Sequence, residues 1–84
     1  MNKVEIYSHP ACGYCRQAKG LLNARGIEYQ DLNVGHAPHL VAQMIERTGG
    51  RTFPQIIINN QPIGGFDDLH RLDQNQELTA LLNH

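Results

Sequence analysis

Cysteine occurs only twice in this chain of 84 residues, at positions 12 and 15. Small secreted domains of this size are held by about four to eight cysteines, so a disulfide scaffold is not expected. Neither sign of charge is in excess: seven Lys and Arg face eight Asp and Glu, for a formal net charge of −1 and a pI near 6.5. That balance excludes the basic footprint of a nucleic-acid binder and the basic patch that draws a protein to anionic membrane. No apolar run approaches the roughly 20 residues needed to span a bilayer. Internal repeats, linker-like stretches and low-complexity segments are also missing. Met1 to Ile6 runs directly into a strand pattern, so a signal peptide is not expected and the cytoplasm is the expected compartment. These absences leave one small domain over residues 1–84 as the expectation.

What is present reads as alternating strands and helices. Lys3 to Ser8 alternates apolar and polar residues, a strand signal, and His9-Pro10-Ala11 is the loop after it. Gly13 to Ala24 carries Tyr14, Ala18, Leu21 and Leu22 at helical spacing, with Gly26 just past its end as a C-cap. Ile27 to Leu32 reads as a second strand, parallel to the first because a β-α-β unit connects them. Gly35 to Pro38 is a turn. Leu40, Val41, Met44 and Ile45 form the apolar stripe of a second helix that stops near Thr48-Gly49-Gly50. Gln55 to Ile58 shows no polar alternation and is expected to be a central strand covered on both faces. Asn59-Asn60 tolerates the positive φ of a tight hairpin, and Gln61 to Gly64 returns as an edge strand that accommodates Pro62. A last helical region carries Leu69 and Leu72, breaks at Asp73 to Asn75, and resumes with Leu78, Leu81 and Leu82. The order β-α-β-α-β-β-α predicts an α/β fold, a four-stranded mixed sheet with helices on both faces.

Both cysteines fall where the first strand hands over to the first helix, and a Cys-x-x-Cys there reads as a dithiol redox centre. Cys12 takes the N-cap position. Its sulfur can accept the N–H groups of Tyr14 and Cys15, and the helix dipole favours a thiolate. Hydrogen bonds to a charged acceptor contribute about 1.5–3 kcal/mol each and the dipole about 0.3–2 kcal/mol. Two such bonds with the dipole suffice without a catalytic base. Arg16 and Lys19 are expected at the surface and screened. Cys15, one turn in, is expected to be more buried and less acidic, yet within reach of Cys12. Cys12 therefore attacks and Cys15 resolves the mixed disulfide. A zinc site needs four ligands; there is no second Cys-x-x-Cys, and His36, His39, His70 and His84 lack ligand spacing, so no metal is expected.

Three motifs stand in order: Cys12-Gly13-Tyr14-Cys15, Thr52-Phe53-Pro54-Gln55, and Gly64-Gly65-Phe66-Asp67-Asp68. Together they resemble the glutaredoxin family, in its bacterial dithiol form, over nearly the whole chain. The resemblance implies a thioredoxin fold and glutathione-dependent reduction of protein–glutathione mixed disulfides and protein disulfides. Glutathione is then a co-substrate, with no tightly bound cofactor. The implied partners are glutathionylated or disulfide-containing proteins, ribonucleotide reductase among the family's candidates, met by a monomer that binds neither nucleic acid nor membrane. Cys12 and Cys15 are the implied catalytic pair. Tyr14, Thr52, Phe53, Pro54, Gly65, Phe66, Asp67 and Asp68 are the implied glutathione-binding residues. Pro54 is implied to be cis, presenting the backbone of Phe53 to Cys12 so that a cysteinyl backbone can pair with it as a short strand. Asp67 is expected to cap the last helix, whose first N–H groups would take the γ-glutamyl carboxylate while an Asp side chain, that of Asp67, meets the ammonium.

Departures from the family pattern carry their own expectations. Gly13 replaces a proline, which predicts a looser turn. His9 replaces a lysine that meets the glycyl carboxylate, with Arg47 and Arg51 as substitutes. Phe66 stands where some members have a third cysteine. Two other readings remain open at this point. One is a redoxin served by thioredoxin reductase, against which the Gly64 to Asp68 motif weighs. The other is a carrier of a glutathione-ligated [2Fe-2S] cluster, which Gly13 permits and Cys15 disfavours.

Overall fold

A computed structural model describes residues 2–82; Met1, Asn83 and His84 lie outside the described residues. The elements run β1 (Val4–Ser8), α1 (Gly13–Ala24), β2 (Gln30–Asn33), α2 (His39–Thr48), β3 (Gln55–Ile58), β4 (Gln61–Gly64), α3 (Phe66–Gln74) and α4 (Glu77–Leu82). The strands form one sheet in the order β2-β1-β3-β4. β1 is parallel to β2, with Ile6 opposite Asp31, and antiparallel to β3, with Ile6 opposite Ile56. β3 turns into β4 through Asn59 and Asn60, whose φ angles of 51° and 68° suit the twist of a two-residue hairpin. The edge strand β4 holds Pro62, where its missing N–H leaves no gap in an interior ladder.

Helices cover both faces, as expected from the sequence. On one face Val4, Ile6, Ile56 and Ile58 pack with Ala18 and Leu22 of α1, Leu69 of α3 and Leu78 of α4. On the other, Tyr7 and Ile57 pack with Val34 and with Met44 of α2. Among the described residues no helix is long and apolar enough to cross a membrane.

Three local details differ from the sequence pattern. Alternation such as that of β1 is usual in strands with one solvated face, yet all five residues of this strand are buried. Its polar member Glu5 faces α2, where both Arg47 terminal nitrogens donate to the carboxylate at 2.9 Å. The second strand begins at Gln30, not Ile27. Ile27 instead closes α1: its N–H donates to Leu22 at 2.9 Å and that of Gly26, at φ 69°, donates to Asn23 at 3.1 Å. That is a Schellman motif, in which an apolar residue just past the glycine packs back on the helix. The expected break in the last helical region is present but falls later than Asp73 to Asn75, at Asn75 and Gln76, where Gln76 adopts φ 61° between α3 and α4. Arg25 fastens the end of α1 to α3 through two hydrogen bonds to Asp73, at 2.7 and 2.8 Å.

Candidate active site

The chain leaves β1 through a turn in which Cys12 N–H donates to the His9 carbonyl at 3.2 Å. Cys12 is extended (φ −113°, ψ 110°), the backbone an N-cap needs. Its sulfur accepts the N–H of Cys15 at 3.1 Å. The expectation of two N–H donors is thus corrected to one: Cys15 is the third helical residue, the usual cap partner, and Tyr14 does not share the role. On its other side the Cys12 thiol donates to the Phe53 carbonyl at 3.6 Å. Both cysteines are free, Cys12 half-buried and Cys15 buried. Burial pushes the Cys15 thiol up to about 12 and the Cys12 sulfur adds to this, while the His9 backbone and the Lys19 ammonium pull the other way.

The second segment comes from the turn before β3. The Phe53–Pro54 peptide is cis, and Pro54 is buried. The Phe53 ring lies 5.7 Å from that of His9, whose Nδ1 accepts the Ala11 N–H at 3.2 Å. Thr52 is exposed, and its hydroxyl accepts from the Gln55 side chain at 3.2 Å. Arg47 was a candidate for a carboxylate ligand here. It is instead committed to Glu5 and, at 2.9 Å, to the Tyr7 hydroxyl, so it is removed from that role. Arg51 remains exposed two residues before Phe53.

The third segment is the start of α3. Gly64 adopts φ 119°, and a Cβ there would lie 2.3 Å from Asp68 Oδ2, so a side chain would strike the cap. The helix opens at Phe66, with Gly65 as N-cap, and the Asp68 carboxylate accepts the Gly65 N–H at 3.1 Å. Asp68, not Asp67, is therefore the capping side chain, because a helix starting at Phe66 puts Asp68 at the third position. Asp67 stays exposed. First-turn N–H groups have no acceptor within their own helix, and here they belong to Phe66, Asp67 and Asp68. A Cβ at Gly65 would sit 3.4 Å from the Pro54 carbonyl, so this helix start abuts the proline turn. Tyr14, 60% exposed, stacks on Phe66 with centroids 6.1 Å apart, which joins the starts of α1 and α3.

Lys19 also departs from expectation. Its side chain is only 25% exposed, and Nζ lies 2.6 Å from Asp31 Oδ2. The buried Ser8 hydroxyl donates to the other Asp31 oxygen. The partners lie on three different elements, and only the one-turn spacing from Cys15 hinted at a role.

Gly13 offers a direct check on the local backbone. Cys12 already has the extended conformation that a following proline requires, and a Cβ at position 13 would meet only the tip of Arg16, at 4.0 Å. Gly13→Pro should therefore stabilise by about 0.4–1 kcal/mol, through lost freedom of the unfolded chain. In thermal melts that is a rise of about 2–8 °C. An unchanged or lower midpoint would contradict the fit.

A dithiol capping the helix after the first strand, in a sheet ordered β2-β1-β3-β4 beside a cis proline, defines a thioredoxin-like redox fold. A glutaredoxin family profile matches residues 4–63. Glutaredoxin 3 of Escherichia coli K12 is 44% identical over 82 residues, 98% of this chain and 99% of the relative. The solution structure of glutaredoxin from Brucella melitensis is 44% identical with a TM-score of 0.81, covering 95% of this chain and 87% of that one. A buckwheat glutaredoxin–glutathione complex is 28% identical with a TM-score of 0.88, covering 96% and 76%. The chain belongs to the glutaredoxin family and is a thiol–disulfide oxidoreductase.

Proposed function

We propose that this oxidoreductase is glutathione-dependent and works through Cys12 as nucleophile and Cys15 as resolving thiol. The observation that carries the reading is the convergence of three chain segments on one sulfur. Cys12 is flanked by the Cys15 N–H on one side and the Phe53 carbonyl on the other, with the opening of α3 adjoining Pro54. Backbone groups of Phe53 suit a cysteinyl residue added as a short strand. The first-turn N–H groups of α3 suit a carboxylate. Asp68 is occupied by Gly65 and by Arg71 at 3.4 Å, so Asp67 is the carboxylate offered to an ammonium group. Tyr14 and Phe66 stack on each other between the starts of α1 and α3, and Thr52 directly precedes Phe53. A tripeptide with a central cysteine and charged groups at its γ-glutamyl end matches these features. The glutathione complex of the buckwheat relative supports the match.

In the monothiol route the Cys12 thiolate attacks the glutathione sulfur of a glutathionylated protein, and the protein thiolate leaves and is protonated. A second glutathione thiolate then attacks the sulfur held on Cys12 and departs as glutathione disulfide, freeing Cys12. In the dithiol route Cys12 opens a protein disulfide and Cys15 displaces the substrate sulfur, leaving a Cys12–Cys15 disulfide. The fitting compartment is the cytoplasm, where thiols are kept reduced.

The test is turnover of a small glutathione mixed disulfide with NADPH and glutathione reductase. NADPH consumption should require both this protein and glutathione. Activity with thioredoxin reductase in place of glutathione and its reductase would overturn the assignment.

A further inference from the structure

Resting on Cys15 as the resolving thiol, we propose that Lys19, clamped by Asp31, is the positioning residue that readies Cys15 for attack on the mixed disulfide held by Cys12. Cys15, Ala18 and Leu22 form the buried face of α1. Lys19 stands at the edge of that face, one turn beyond Cys15, the spacing at which helical side chains are neighbours. A lysine at such an edge ordinarily extends into water, mobile and screened. This one is held. Its ammonium is 2.6 Å from Asp31 on β2, and the second Asp31 oxygen is taken by Ser8, fully buried at the end of β1. The clamp thus joins β1, α1 and β2 at the end of the sheet from which the cysteine loop springs.

Cys15 needs such a neighbour. Burial leaves little of it as thiolate at neutral pH, and the sulfur of Cys12 makes ionisation harder still. The charged and titratable groups around it are few: Cys12 and Lys19 on α1, Asp31 behind Lys19, and His9, which turns its ring to Phe53 and offers only backbone to the sulfur. Lys19 is the cation among them, and it favours the thiolate, less strongly than burial and the Cys12 sulfur oppose it. The step balances simply. The Cys15 thiol releases its proton to water, and its thiolate attacks Cys12 Sγ. The bond from Cys12 to the substrate sulfur breaks as the Cys12–Cys15 bond forms, and the substrate thiolate leaves and is protonated. Lys19 keeps its proton throughout.

A substoichiometric amount of an aromatic disulfide with a coloured thiolate, 5,5′-dithiobis(2-nitrobenzoate), separates the two attacks in a stopped-flow trace. The first release reports Cys12 and the second reports Cys15. In Lys19→Gln the ratio of second to first rate should fall about three- to tenfold, because part of the lost thiolate fraction is offset by a more basic sulfur. The pH profile of the second release should move to higher pH, and Lys19→Arg should restore both. An unchanged ratio and profile in Lys19→Gln, or no rescue by arginine, would overturn the proposal. A second release in Cys15→Ser that keeps the wild-type rate and does not depend on protein concentration, and so is not attack by Cys12 of another molecule, would overturn the resolving role of Cys15 and the proposal with it.

Discussion

Cys12→Ser is expected to lose reduction of both glutathionylated substrates and protein disulfides, by about 10³-fold or more, because no covalent route remains. Cys15→Ser should keep the first activity and lose the second. The asymmetry follows from the two environments. Cys12 is half-buried at the helix cap, open to a substrate sulfur, whereas Cys15 is buried behind it with its thiol pushed up to about 12. A raised thiol pKa means that thiolate is gained only as pH rises, by about tenfold per unit below that value. Turnover limited by Cys15 should therefore climb with pH through the neutral range. The monothiol route never uses Cys15; its own climb follows the glutathione thiol, of ordinary acidity at about 8.5, and should level off above that value while the Cys15-limited route keeps rising. Both substrates assayed with glutathione and glutathione reductase, on wild type and the two variants from pH 6 to 9, would show this. A Cys12→Ser protein that still deglutathionylates, or a Cys15→Ser protein that still reduces protein disulfides, would refute the division of labour.

The sheet and its helices were legible because they rest on local, periodic signals. The uninterrupted Gln55–Ile58 run is short and rich in isoleucine, which favours a covered strand, and Asn59-Asn60 tolerates the positive φ of the tight turn found there. The site's three motifs were equally visible, since each is a short contiguous stretch. What stayed hidden depends on partners far apart in sequence. Glu5 is one polar position of an alternating strand, and nothing local announces that Arg47, 42 residues on, reaches over to it. Ile27 read as strand because an apolar residue after a helix serves a Schellman contact or a strand equally well. The choice of Asp68 over Asp67 as cap turned on a one-residue difference in where α3 begins. Such boundaries depend on backbone geometry more than on composition. Lys19 was assigned to water for want of any sign of the Ser8–Asp31 clamp.

Arg47→Ala should be the most destabilising of the substitutions considered, although it lies on the face of the sheet away from α1 and both cysteines. Glu5 is 6% exposed in its side chain and Arg47 28%. Removing the guanidinium leaves the carboxylate under α2 to the exposed Lys3 ammonium, 4.0 Å away, and takes a donor from the Tyr7 hydroxyl, which also bonds to Gln43. Breaking a buried pair costs about 3–5 kcal/mol, and the partial access of water at Arg47 argues for the lower end. A loss of about 3 kcal/mol lowers the melting temperature of a domain this size by more than about 10 °C. Removing both charges, as in Glu5→Leu with Arg47→Met, should recover much of it, because no unpaired charge is left. The effect also has a pH signature. Arg47 holds the Glu5 carboxyl below its ordinary value of 4.5. The pair's contribution is therefore complete above about pH 4.5 and is lost as pH falls through the folded-state value. In Arg47→Ala, burial, which raises the carboxyl, is no longer opposed by the guanidinium, so the stranded carboxylate is relieved by protonation at higher pH than in the wild type. The gap in melting temperature between wild type and variant should accordingly narrow from pH 7 to pH 3. A gap of constant width would assign the loss to the aliphatic stem of Arg47 and its bond to Tyr7, not to the stranded charge.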